Sequence, residues 1–208
     1  MNRNKAVLLI GPTGAGKTPL GDFCEQEGLW GTKCFHFDFG ESLRRILKTG
    51  VAPSLLNEED MGVIIHSLKS GVLLENENFH IAENILLSFM KDKAMNDRDV
   101  LLLNGLPRHV GQAEDVDEIV DVKKILFLDA TPEVVSERIR QNSGGDRSER
   151  VDDSAEAVAK KLMLFHERTV PLLNHYRTKK VEVEKVNITV DTTPVKIHQT
   201  LIASSFSA

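Results

Sequence analysis

Five short runs rich in β-branched and aliphatic residues punctuate the chain, at residues 6–10, 33–37, 100–104, 124–128 and 186–190. Most are apolar throughout and lack the inside-outside alternation of a strand with one wet face. Such runs are expected where helices cover both faces of a parallel sheet. The segments between them carry apolar residues at helical spacing. The pattern therefore predicts an α/β fold, a five-stranded parallel sheet wrapped by helices.

One connection is much longer than a crossover helix needs. Residues 40–93 predict three helices, at 42–48, 58–68 and 77–90, separated by glycine and proline at 50–53 and by Ser70-Gly71. They read as a small helical insertion. Residues 141–153 are polar, contain Ser143-Gly144-Gly145 and two arginines, and read as a mobile surface loop. From Ser154 to Tyr176, the spacing of Val158, Leu162, Phe165 and Leu172 returns to the helical period, and Pro171 predicts a kink or break. A last helix is expected at 194–202. A length of 208 residues suits one domain carrying these insertions.

Composition narrows the class without deciding the chemistry. With 41% apolar and 27% charged residues, the chain is neither fibrous nor disordered. A net charge of −5 argues against a surface built to grip a nucleic-acid backbone. No apolar run approaches the roughly 18 residues of a membrane helix. The first apolar run ends in Gly11-Pro12 without a small-residue cleavage site, so no secretory leader is expected and the cytoplasm is the expected compartment. Cys24 and Cys34 lack metal-ligand pairing and read as buried thiols.

Candidate chemistry begins at Gly11-Pro12-Thr13-Gly14-Ala15-Gly16-Lys17-Thr18, which matches G-x-x-x-x-G-K-[ST] between an apolar strand and a helix. The glycines let backbone N–H groups turn inward around phosphate oxygens, and the helix presents its positive end to the same anion. Lys17 adds a mobile charge, and the Thr18 hydroxyl can reach a magnesium ion. Pro19 is tolerated in a first helical turn. By itself this P-loop fits kinases, GTPases, ATPases and transport motors alike.

Four further segments choose among these. Asn104-Gly105-Leu106-Pro107-Arg108, with Gln112 four residues on, looks like the D-G-F-P-R-x-x-x-Q segment of adenylate kinases. The run from Phe37 to Arg44 is similar to the family's s-T-G-d-x-L-R segment. Arg150-Val151-Asp152-Asp153 resembles the R-x-D-D end of its lid, and the run from His166 to Leu172 resembles H-x-x-T-x-P-L. Appearing in family order over residues 6–176, these segments make the chain resemble the adenylate kinase and nucleoside-monophosphate kinase family.

The resemblance implies a P-loop NTPase fold with a helical acceptor-binding insertion at 40–93 and a short, zinc-free lid at 141–153. It implies a monomer that moves the γ-phosphoryl group of ATP, as its Mg2+ complex, onto a nucleoside monophosphate, AMP first, with no nucleic-acid or membrane partner. Lys17, Arg108, Arg138 and Arg150 would form the catalytic set. The loop from Gly11 to Thr18, with Arg138, would hold ATP, and Arg138 and Arg150 would close over it. Arg44 and Arg108 would grip the acceptor phosphate, with Phe39, Gly40, Leu74 and Gly105 alongside and Gln112 reading the base. Arginine suits this work because its planar fork pairs bidentately with phosphate. Arg140 and Arg147 are weaker candidates. Thr18 would bind the metal, and Asn104 would reach it through a water.

Several positions depart from the family pattern. Asn104 replaces an aspartate that holds the hydrated magnesium, which removes one negative charge from the metal site; restoring it with Asn104→Asp is expected to strengthen magnesium binding. Phe39 replaces a threonine and Leu106 a phenylalanine, which reshapes the acceptor pocket, and Lys161 replaces an arginine. Two rival readings follow. A P-loop kinase of an unphosphorylated small metabolite would have no use for Arg44 and Arg108, whereas a nucleotide-binding regulatory protein without turnover would account for Asn104 and Lys161. The seven histidines, including His36, His66, His80 and His109, show no metal-ligand spacing. Glu114, Asp115, Asp117 and Glu118 read as a solvated helix face.

Overall fold

The computed structural model describes residues 3–147 and 154–203. β1 (Asn4–Ile10) and β3 (Val100–Asn104) lie at the middle of a parallel sheet, flanked by β2 (Cys34–Asp38), β4 (Val120–Asp129) and β5 (Glu182–Asn187) in the order β2-β3-β1-β4-β5. β3 is buried along its whole length, which accounts for its apolar run from Val100 to Leu103. Alternation survives inside such strands. Ala6, Leu8 and Ile10 of β1 enter one core with Phe35, Phe37, Ile81 and Tyr176, and Val7 and Leu9 enter the other with Leu20, Leu102, Leu126 and Ile197.

The helices are α1 (Lys17–Glu27), α2 (Phe39–Thr49), α3 (Glu58–Ser70), α4 (Phe79–Asp92), α5 (Val110–Ile119), α6 (Pro132–Gln141), α7 (Ala155–Leu164), α8 (Pro171–Thr178) and α9 (Pro194–Ala203). The three helices expected between the second and third strands are α2, α3 and α4. Their ends follow local chemistry. An Asn57–Asp60 capping box opens α3, and Gly50 and Gly71, at φ 68° and 67°, close α2 and α3 in the left-handed conformation that glycine adopts without strain. α2 begins three residues before the expected start, so Phe39 and Gly40 sit in its first turn. None of the described helices is long and apolar enough to cross a membrane.

Two expectations need correction. The fifth strand spans Glu182–Asn187, not 186–190. It is an edge strand, and its alternating charges hide it from a search for apolar runs. Glu182 and Glu184 lie 2.9 and 2.8 Å from the ammonium of Lys124, whose side chain is otherwise buried on β4. The apolar residues beyond it belong mostly to a turn, after Ile188 N–H donates to the Asp129 carbonyl at 2.8 Å. The acids of α5 are not all solvated either. Asp117 accepts from the hydroxyl of buried Tyr176 at 3.0 Å and from Lys179 at 2.6 Å, fastening α5 to α8. Burial, with the Asp117 carboxylate adding to it, pushes the Tyr176 hydroxyl above its ordinary pKa.

The break expected at Pro171 takes the form of a π-helical turn, Phe165–Thr169. Proline cannot donate to the preceding turn, and its ring crowds the carbonyl four residues back. The wider turn carries the chain past this point, with Val170 N–H donating to Phe165 O at 2.9 Å, and α8 then starts with proline at a position where the missing N–H costs nothing.

Candidate active site

Parallel strands bring their carboxyl ends to one edge of the sheet, and there a cleft of about 220 Å³ opens beside β1, β2 and β3. Its floor is the loop between β1 and α1. Gly14 and Gly16 adopt φ 77° and 94°, which a side chain would strain, and a Cβ on Gly11 would lie 2.7 Å from the Leu128 carbonyl. Lys17 folds back over this loop, donating to the carbonyls of Gly11 at 2.7 Å and Pro12 at 2.8 Å. Its charge therefore sits at the mouth of a loop shaped for anions.

Beside the loop, the structure supplies a carboxylate to which the sequence reading gave no role. Asp38 ends β2, directly opposite Asn104 at the end of β3. The Thr18 hydroxyl donates to Asp38 Oδ2 at 2.6 Å, and Asn104 Nδ2 donates to the same oxygen at 2.7 Å. Asn104 Nδ2 also lies 3.1 Å from Thr18 Oγ1. A carboxylate only accepts, so the amide turns its nitrogen to this cluster. A negative charge therefore lies one strand away from Asn104, against the Thr18 hydroxyl. The clue in the sequence was the strand boundary, because a β2 ending at residue 37 leaves Asp38 in a loop, whereas one ending at 38 pairs it with Asn104.

Arg138, expected to close over the donor, lines the cleft but is almost wholly buried. Its Nε donates to Gly14 O at 3.0 Å, and its Nη1 faces the carbonyls of Thr189, Val190 and Thr192 at 2.8, 3.1 and 2.8 Å. Two nitrogens of the fork thus tie the loop to the turn after β5, while Nη2 lies over Gly16. Burial lowers its pKa, and Asp146 opposes that. Arg138→Met is expected to cost about 2–4 kcal/mol, since several buried carbonyls lose a charged donor. That corresponds to a fall of roughly 5–15 °C in Tm for a chain of this size. Thermal melting followed by circular dichroism checks it; an unchanged Tm would show that these bonds do not hold the loop.

Arg147 reaches the P-loop, with Nη2 3.3 Å from Thr13 Oγ1, whereas Arg140 pairs with Glu137 on the outer face of α6. Arg150, and with it the end of the expected lid, lies outside the described residues.

Of the two arginines expected to grip the acceptor, Arg44 projects from α2 and forms an ion pair with Glu41 at 2.9 Å, and Arg108 follows β3; both line the cleft. Burial presses the Arg108 guanidinium below the usual arginine range, against the raising effect of Asp38. Gln112 is wholly buried. Its Oε1 accepts from Arg108 N–H at 2.8 Å and its Nε2 donates to Leu74 O at 2.9 Å, so it positions two backbones at the cleft. His109 lies 3.0 Å from the same Leu74 carbonyl, which accounts for its burial. Gly105, at φ 80°, lets the chain turn close to Phe39.

P-loop and arginines line one cleft, with Lys161 of α7 facing it as well. Two phosphate ends can meet there among cations that balance the charge of a phosphoryl group in flight. Among the described residues no group of three or more His, Cys, Asp or Glu side chains could hold a metal ion. A cation at this place would rest on few protein oxygens and on the oxygens of a bound phosphate, as magnesium commonly does.

Comparison with known proteins agrees with this geometry. The family profile described as adenylate kinase matches residues 9–181. An adenylate kinase of Prochlorococcus marinus is 24% identical over 179 residues, covering 83% of this chain and 85% of that protein. An adenylate kinase of Parvibaculum lavamentivorans is 28% identical over 186 residues, covering 83% and 80%. A uridylate kinase of Saccharomyces cerevisiae is 29% identical over 174 residues, covering 83% and 78%.

Proposed function

We propose, since this chain belongs to the adenylate kinase family, that it works as a nucleoside-monophosphate kinase whose preferred acceptor is AMP. It is an ATP-dependent phosphotransferase. The observation that carries the kinase reading is the shared cleft lined by both the P-loop and the acceptor arginines.

In this reading the loop from Gly11 to Thr18 cradles the ATP phosphates, and Lys17 leaves its carbonyl partners to follow the transferring group. Arg44 and Arg108 hold the acceptor phosphate in line, and α2, α3 and α4 cover it. Residues 141–153 act as the short lid, with Arg147 at the P-loop and Arg150 as a further charge for the donor. Arg138 serves by fixing Gly14, with its Nη2 over Gly16. The hydroxyl and carboxylate oxygens beside the loop are hard donors and fit Mg2+, with Thr18 and the ATP phosphates as its direct ligands. That ion would neutralise phosphate charge. Transfer is direct and needs no covalent enzyme intermediate. The protein is taken to act as a monomer in the cytoplasm.

AMP is preferred because adenylate kinases predominate among the relatives named above, and UMP is the second candidate because of the yeast uridylate kinase. The test is ADP formation from ATP, magnesium and each of AMP, UMP, CMP and GMP. Acceptor-dependent turnover, fastest with AMP, is the expected result. Faster turnover with UMP would change the acceptor and keep the class; ATP hydrolysis indifferent to the acceptor, or ATP binding without turnover, would remove the kinase reading.

A further inference from the structure

The geometry points to Asp38 as the carboxylate that holds the magnesium ion of the ATP complex, with Asn104 as the residue that orients it. This rests on the ATP-binding reading above and adds a residue outside the set expected from the sequence.

The first support is the polarity of the Thr18 hydroxyl. It gives its one proton to Asp38 Oδ2 at 2.6 Å. One oxygen lone pair accepts from Asn104 Nδ2 at 3.1 Å, and the other is then available to a cation, as a metal-ligating hydroxyl requires. A threonine with no acceptor for its proton would present that proton to the ion. P-loop enzymes generally need this pair, a loop Ser or Thr and a carboxylate at a strand end, to hold their magnesium.

The second is that the Asp38 carboxylate is held at both oxygens. Oδ1 accepts from Glu41 N–H at 2.9 Å, capping α2, while Oδ2 takes the Thr18 and Asn104 donors. Little freedom remains to be lost when an ion arrives.

The third is the identity of residue 104. An aspartate there would set a second carboxylate about 3 Å from Asp38, and one of the two would have to keep a proton. An amide donates where an acid would repel. Asn104 is thus the partner that a charge on β2 calls for, and Asn104→Asp alone is no longer expected to strengthen magnesium binding.

A purely structural role for Asp38, as cap and packing partner, makes a different forecast. Asp38→Asn keeps a capping oxygen and nearly the same shape while removing the charge. The probe is Mn2+, titrated by electron paramagnetic resonance into the protein bound to the non-hydrolysable β,γ-imido analogue of ATP. The Mg2+ midpoint of turnover at fixed ATP is measured alongside, and Tm serves as the fold control. Asp38→Asn is expected to weaken Mn2+ binding at least about tenfold and to raise the Mg2+ midpoint similarly. The exchange Asp38→Asn with Asn104→Asp returns the charge across the strand pair and is expected to recover most of the affinity. Unchanged Mn2+ affinity in a folded Asp38→Asn protein would overturn the proposal, as would a folded exchange variant no better than the single one. The Mn2+ titration needs no turnover, so an absence of phosphoryl transfer with these affinities intact would strike the kinase reading alone.

Discussion

Lys17→Met is expected to lower kcat by about three orders of magnitude, the upper range for removing one preorganised charge from a transferring group. The ammonium stands over the loop, fixed on the Gly11 and Pro12 carbonyls at 2.7 and 2.8 Å. Entry of a phosphate offers it a charged acceptor in place of two neutral ones, so it can follow the group as charge shifts from ATP to the acceptor. Methionine keeps most of the length and loses the charge. Two partly solvated hydrogen bonds disappear, worth about 1 kcal/mol each, so the fold should survive. Initial rates with ATP and AMP, set beside nucleotide affinity and a melting curve, check this. A folded variant with wild-type kcat would dissociate the P-loop from the donor site.

The second large effect is expected at Arg108. Arg108→Ala should lower kcat/KM for the monophosphate by about 10²–10³-fold while leaving ATP affinity within a few-fold, because two charge-assisted bonds of about 1.5–3 kcal/mol each are lost from one ligand. The main chain at 108 is held independently. Its N–H donates to Gln112 at 2.8 Å and its carbonyl accepts from Thr169 at 2.7 Å, so truncation removes the fork and spares the loop. Arg44→Ala should act in the same direction with a smaller loss, since that side chain is a third exposed and already shared with Glu41. Varying each substrate at saturating levels of the other separates the two sides. Equal weakening of ATP and AMP by Arg108→Ala would put this arginine on both ligands.

Much of this site can be read along the chain because its parts are local. The P-loop is eight consecutive residues between a strand and a helix, and each glycine answers a need of its own backbone: a left-handed φ at Gly14 and Gly16, and the nearness of Leu128 at Gly11. Strands β1 and β3 betray themselves by unbroken apolar runs, Ala6 to Ile10 and Val100 to Leu103, a consequence of burial on both faces. β5 does not, because an edge strand can carry charges and still pair, and its acids answer a buried lysine on another strand.

What the tertiary structure decided was where charge and hydrogen-bonding capacity end up. Asp38 and Asn104 are 66 residues apart, and only the placement of β2 next to β3 makes them partners. Arg138 is a phosphate fork by its chemistry, yet carbonyls from two distant segments occupy its Nε and Nη1 and turn it into a support for the loop. Gln112, expected to read a base, commits both ends of its amide to backbone partners in the same way. Residue type sets which bonds a side chain can make, but buried donors and acceptors must be satisfied wherever chain packing brings them together. Strand order, a property of contacts distant in sequence, therefore settled which backbone partners hold the candidate groups that line the cleft.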